Sequence, residues 1–179
     1  MSLGGYDINV NTSGMPQAIA TAFGKLSETL VGAEYTPIAY LGSQVVNGTN
    51  HAVLAEQLII TGKDTKNVVL IIFNEKPVKD ALPEVTLVNI ERVLESGAPI
   101  GGIKVEPTTD IPEDALNDFN EVMEGFVGSN VEPFAYLWSQ IVKGTNHYFA
   151  AKVVPVVQNP EPTIAVVVIN ALSDQVSFV

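Results

Sequence analysis

The sequence contains no cysteine, which excludes disulfides, thiolate metal ligands and a cysteine nucleophile together. It leaves the redox compartment open. Charged residues are sparse at 16%, too few for long solvated tails. Basic residues are scarcer still. Nine Lys and Arg stand against 20 Asp and Glu, a formal net charge of -11. Nucleic acid and anionic membrane both require basic patches and are not expected as partners. No apolar run is long enough to span a bilayer. Met1 to Gly5 has neither the basic nor the apolar region of a signal peptide. The expected compartment is therefore cytoplasmic if this start is natural, and secreted or periplasmic if a leader preceded it. There are only two histidines, His51 and His147, without metal-ligand spacing. No glycine-rich phosphate loop follows a strand, and no carboxylate pair stands out for acid–base work. No enzyme, catalytic residue, metal or cofactor is expected.

What the chain does have is a duplication. Its 179 residues, 46% of them hydrophobic, suffice for one large domain or two small ones. Residues 39–51 read AYLGSQVVNGTNH and residues 135–147 read AYLWSQIVKGTNH. Ten of these thirteen positions are identical at an offset of 96, the differences being Gly42/Trp138, Val45/Ile141 and Asn47/Lys143. The same offset pairs Pro16 with Pro112, Phe23 with Phe119, Gly32 with Gly128, Pro37 with Pro133 and Asn74 with Asn170. The repeats are assigned to residues 1–96 and 97–179, with a break at Ser96-Gly97-Ala98-Pro99.

Each repeat begins with a helical pattern. Ile19, Phe23, Leu26 and Leu30, and their counterparts Ala115, Phe119, Val122 and Phe126, fall on one face. Pro16 and Pro112 suit the first turn, Ser13 and Asp110 are cap candidates, and Gly32 and Gly128 suit the stop. Glu113, Asp114 and Asp118 read as a solvated helix face. Strands follow over 38–46, 52–60, 68–73 and 85–93, and over 134–142, 148–157 and 164–169, mixing apolar and polar residues as half-buried strands do. Asn47-Gly48 is a strong hairpin signal and Lys143-Gly144 a weaker one. Gly62-Lys63-Asp64 and Asn159-Pro160-Glu161-Pro162 mark further turns. The second repeat is shortened at its C-terminus, where Gln175–Val179 can supply only a stub of the last strand. The expected class is α+β, each repeat one helix packed on an antiparallel sheet.

A helix followed by a strand ending in Gln44-Val45-Val46-Asn47-Gly48-Thr49-Asn50, and again in Gln140-Ile141-Val142-Lys143-Gly144-Thr145-Asn146, resembles the cystatins, most closely their stefin branch. The resemblance implies tandem cystatin-like domains and reversible inhibition of papain-like cysteine proteases. That family wedges three elements into the protease cleft: an N-terminal glycine segment, the Gln-x-Val-x-Gly hairpin and a second hairpin. Carried onto this sequence, the first element is Gly4-Gly5 and Gly101-Gly102. The second is Gln44, Val45, Val46, Asn47 and Gly48, with Gln140, Ile141, Val142, Lys143 and Gly144. The third is Lys76-Pro77 and Leu172-Ser173. Here the sequence departs from the family's Pro-Trp or Leu-Pro pair: Phe73-Asn74-Glu75-Lys76-Pro77 keeps only the proline, and Ile169-Asn170-Ala171-Leu172-Ser173 only the leucine. His51 and His147 stand where stefins often carry tyrosine.

Three functions compete at this level. The leading one is a two-headed protease inhibitor, monomeric, with exchange of hairpin strands between chains as a route to a swapped dimer. The second is a non-inhibitory protein-binding or structural module. The third, an enzyme or small-ligand binder, lacks a convergent polar constellation. Asn47-Gly48-Thr49 and Asn11-Thr12-Ser13 fit the N-glycosylation pattern and are read as chance matches.

Overall fold

A computed structural model describes residues 5–60, 65–94 and 105–179. The chain forms two compact units, Met1–Ala98 and Pro99–Val179. The turn Gly62-Lys63-Asp64 and the break Ser96-Gly97-Ala98-Pro99 lie outside the described residues.

The first unit runs β1 (Tyr6–Asn11), α1 (Gln17–Thr29), β2 (Ala33–Val46), β3 (Gly48–Ile59), β4 (Thr65–Lys76) and β5 (Glu84–Leu94). Its five strands form one antiparallel sheet in sequence order. The second unit runs α2 (Glu113–Met123), β6 (Ser129–Val142), β7 (Gly144–Pro155), β8 (Thr163–Asn170), a 3-10 turn (Ala171–Ser173) and β9 (Gln175–Phe178). Its sheet is β6-β7-β8-β9, also antiparallel. The tail stub is thus a real strand, pairing Val167 with Phe178 and Asn170 with Gln175.

The α+β expectation, with each unit defined by one helix on a sheet, is overturned. The described residues hold nine strands in two antiparallel sheets and only two short helices, of 13 and 11 residues. The protein is mostly β. Burial gives the physical reason. One helix can cover only one face of a sheet, and a sheet solvated on its other face alternates buried with exposed. Here Ala52, Val53, Leu54 and Ala55 are all fully buried, and so is nearly all of the run Val68–Phe73. Helix residues Ala22, Phe23 and Leu26 cluster with Tyr40, Val53, Ala55, Val69, Ile71 and Phe73. The intervening Ala52, Leu54, Leu70 and Ile72 point to the opposite face, and that face is covered too. The continuous run Val68-Val69-Leu70-Ile71-Ile72-Phe73 is the sequence signature of such double burial.

Two smaller expectations also change. Ser13 and Asp110 do not cap the helices: Pro16 and Pro112 occupy the cap positions, without a side-chain cap bond. Ser13 instead bonds back to Asn11. Strands β2 and β6 begin five residues earlier than read, running through Pro37 and Pro133. A register shift just after each proline takes up the missing N–H.

The second core is anchored by Phe149, edge-on to Phe119 at 5.1 Å and to Tyr136 at 5.5 Å. Phe149→Ala should destabilise by about 3–5 kcal/mol, read as a lower denaturant midpoint with the protein still folded in water. A loss under 1 kcal/mol, about the cost of a well-tolerated core swap, would show that this ring does not hold the core.

Candidate functional site

Register alone brings three chain segments to one end of the first sheet. The β2–β3 hairpin turns at Asn47, with Val46 opposite Gly48. Strand β1 starts beside it, because Tyr6 pairs with Gln44, so Gly5 sits at the same end. Strand β4 finishes there, because Thr49 pairs with Glu75, and the connection from Lys76 to Glu84 follows. In the second unit the hairpin turns at Lys143, and the 3-10 turn Ala171–Ser173 lies beside it. Gly4, Gly101 and Gly102 lie outside the described residues.

Both tips need their glycines. Gly48 has φ +101° and Gly144 φ +89°, where L side chains are strained. A Cβ on Gly48 would also sit 2.7 Å from the Glu75 carbonyl oxygen, and one on Gly144 2.8 Å from Leu172 Cβ. The first tip is pressed onto the end of β4, the second onto the end of β8 and the 3-10 turn that follows it.

An amide bridge holds them there. Asn74 Nδ2 donates to Asn50 Oδ1 at 2.9 Å, and Asn170 Nδ2 to Asn146 Oδ1 at 2.8 Å. Asn170 also donates to the Lys143 carbonyl at 3.2 Å and accepts from the Ser173 N–H. Its side chain thereby shapes both the tip and the neighbouring turn. Gln44 is buried and accepts from Asn50 Nδ2 at 3.4 Å. Gln140 is half-buried and accepts from the Tyr148 hydroxyl at 3.2 Å.

Behind each bridge stands a buried histidine. His51 Nδ1 lies 3.1 Å from the Tyr40 hydroxyl and Nε2 lies 3.4 Å from Glu75 Oε2, without a well-aligned hydrogen bond. His147 Nδ1 lies 2.9 Å from the Tyr136 hydroxyl and Nε2 lies 3.3 Å from Asp118 Oδ2. The carboxylate facing Nε2 favours the Nε2–H tautomer, so the tyrosine donates to Nδ1. The two carboxylates come from different elements, β4 and α2. At the offset of 96, Glu75 corresponds to Ala171 and Asp118 to Ala22. Each copy supplies one carboxylate and leaves an alanine at the other's position. Asp118 is therefore more than the solvated helix face expected of it.

What remains exposed is short. Val45, Val46, Asn47, Lys76 and Pro77 are exposed in the first unit, and Ile141, Val142, Lys143, Leu172 and Ser173 in the second. Val46 is 38% exposed and Ile141 89%. Among the described residues no group of His, Cys, Asp and Glu could hold a metal, and no helix is long and apolar enough to cross a membrane. In each Tyr–His–carboxylate group the histidine is buried between its two partners, so the group acts as a lock behind the tip. The sequence reading missed this lock. Its only trace was the exact repetition of Tyr, Asn and His beside the tips. Compared with protein-family models, curated proteins and solved structures, the chain matches none.

Two predictions follow from the lock. Removing one amide leaves its half-buried partner without that bond, so Asn74→Ala and Asn170→Ala should each cost about 1 kcal/mol by denaturant unfolding; unchanged midpoints would show that the bridge is not holding the tip. The second concerns pH. Burial pushes the His51 imidazole below its ordinary value of 6.5, partly offset by Glu75. The neutral ring is thus the form the fold prefers. Stability from His51 is full above pH 6.5 and is lost as pH falls from there through the folded-state value, because the unfolded chain takes up the proton first. The stability difference between the wild type and His51→Asn should shrink on acidification below that point. A pH-independent difference would contradict it.

Proposed function

We propose that the protein is a reversible inhibitor of papain-like cysteine proteases, each unit presenting a hairpin tip to a protease cleft. The observation that supports this best is the convergence at one sheet end of Gly5, the Val45–Gly48 tip and the Lys76–Glu84 connection. These are the segments that the stefin-like sequence marks for docking. The repeated Tyr, Asn and His are accounted for by the internal lock. The apolar pairs Val45-Val46 and Ile141-Val142 are not, since both stay exposed at the tips. Exposed apolar residues on a preformed turn suit a groove-filling role, at about 25 cal/mol per Å² buried before association costs are subtracted. A tight turn is also a poor substrate: proteases bind extended backbone, and the positive φ of Gly48 and Gly144 bends the chain away from it. Because the amide bridge already fixes each tip, little conformational entropy is lost on docking, which favours slow dissociation.

A second reading, a non-inhibitory protein-binding module, has its own support. Gln44 is turned inward, and the strongest identity between the copies serves the lock.

The test is titration of papain with the wild type, Val46→Asp, Val142→Asp and the double variant. These sites are exposed, so the fold should survive each change. Inhibition should fall stepwise, each single variant leaving one working head and the double variant none. A folded wild type that fails to inhibit even at micromolar concentration, a bound on the order of -8 kcal/mol, would leave the binding-module reading in place.

A further inference from the structure

The two tips are built alike and differ in one residue that carries chemistry. The first turns at Asn47-Gly48 and the second at Lys143-Gly144. The pair Asn-Gly occurs once in the sequence, at this tip. Asn47 is exposed, and its side chain makes no hydrogen bond with any described residue. The asparagines beside it are occupied: Asn74 donates to Asn50, and Asn50 to Gln44. Asn47 thus presents its carboxamide to water, next to a backbone nitrogen that no side chain shields.

That arrangement permits a reaction whose only co-reactant is water. The Gly48 backbone nitrogen, its proton taken by hydroxide, attacks Asn47 Cγ. The new N–C bond closes a five-membered imide. The Cγ–Nδ2 bond breaks, and Nδ2 leaves as ammonia after taking a proton from water. A second water then opens the ring at one of its two carbonyls. Opening at the side-chain carbonyl gives aspartate. Opening at the main-chain carbonyl gives isoaspartate, whose backbone is longer by one methylene. Nothing is oxidised or reduced.

We infer that Asn47 is a self-modification site and a timer on the first head: loss of its amide makes the first tip acidic and lengthens its backbone, while Lys143 exempts the second. The amide bridge sets the rate. A Cβ on Gly48 would lie 2.7 Å from the Glu75 carbonyl oxygen and 2.8 Å from Asn74 Oδ1, so the tip has no slack against β4. Ring closure rotates the backbone between Asn47 and Gly48. It therefore waits for the tip to lift, a local opening that the bond from Asn74 to Asn50 resists. Isoaspartate, once formed, no longer fits, because the added backbone atom moves Gly48 off its place beside Glu75. The consequence for proteases rests on the inhibitor reading. A carboxylate carried into a cleft between apolar neighbours loses its water at a cost. A loosened tip must also be ordered again on docking.

Incubation of the full chain at mildly alkaline pH, followed by peptide mass spectrometry, tests the site. The peptide holding Asn47 should gain the mass of an amide turned to an acid, split between aspartate and isoaspartate. It should do so ahead of the exposed Asn120 and Asn130. Asn74→Ala should speed the conversion severalfold, and unfolding in urea should do the same where that variant does not fold. Asn47→Lys should leave its tip peptide unchanged. Papain titrations test the consequence. In the Val142→Asp background, where only the first head works, inhibition should fall in step with conversion, weakening about tenfold or more for the converted chain. In the Val46→Asp background it should hold. Conversion at Asn47 no faster than at Asn120 and Asn130 overturns the site. A rate that neither Asn74→Ala nor urea raises overturns control by the bridge. Conversion without loss of inhibition by the first head overturns the timer. A chain that never inhibits papain removes the inhibitor reading and the timer with it, and the peptide masses still decide the site.

Discussion

Each proposed docking tip depends on one amide reaching across a sheet. Without the bridge from Asn74 to Asn50, or from Asn170 to Asn146, a hairpin tip at the end of a 12-residue strand would be free to fray. With it, the tip is fastened to the strand beside it. The bond is short and largely shielded, so each partner would be costly to leave alone. The fastening also explains the tip glycines. A hairpin held this close to β4 or β8 leaves no room for a Cβ, as the 2.7 Å approach to the Glu75 carbonyl shows. Positive φ and close approach thus select the same residue at the same place in both copies.

The histidine behind the bridge shows how a duplicated site diverges without coming apart. A buried imidazole with one nitrogen facing a tyrosine needs something to receive its other N–H. Both copies place a carboxylate within 3.4 Å of that nitrogen, and they bring it from different elements. Glu75 comes from β4 in one and Asp118 from α2 in the other, with alanine at each vacated position. The physical requirement is the charge and the distance. The element that supplies it is free to change, and so no acidic residue repeats in register with the histidines.

Much of the architecture was legible in the sequence. The repeat, the two helices, the hairpin turns and the tail strand all follow from periodicity, glycine placement and self-similarity. The class was not, for a specific reason. The helix face Ile19, Phe23, Leu26 invites a two-layer unit, and that picture assumes a solvated far face. The run Val68–Phe73 already contradicted it, since six consecutive apolar residues cannot alternate between core and water. Strand starts were missed where Pro37 and Pro133 looked like boundaries, because a register shift is invisible without the partner strand. At the candidate site, the stefin-like resemblance and the Asn47-Gly48 turn signal marked the tip residues, of which Val45, Val46 and Asn47 are exposed. The inward turn of Gln44 and the pairing of Asn50 with Asn74 depend on contacts 6 and 24 residues apart and could not be read locally.

The exchange of Gly42 for Trp138 joins these threads. Within the thirteen-residue motif it is the largest change in side-chain volume, and it falls at a register position rather than at the tip. A tip substitution such as Asn47 to Lys143 alters what a partner meets while leaving the sheet intact. The ring at position 138 gains a stacked contact with Tyr148, where Gly42 instead admits the close approach of β1. The amide bridge does not involve that position, since it runs from β4 to β3 in one copy and from β8 to β7 in the other. The two copies can therefore keep the same tip, with the same amide bridge and the same glycine, while differing at a position set back from it.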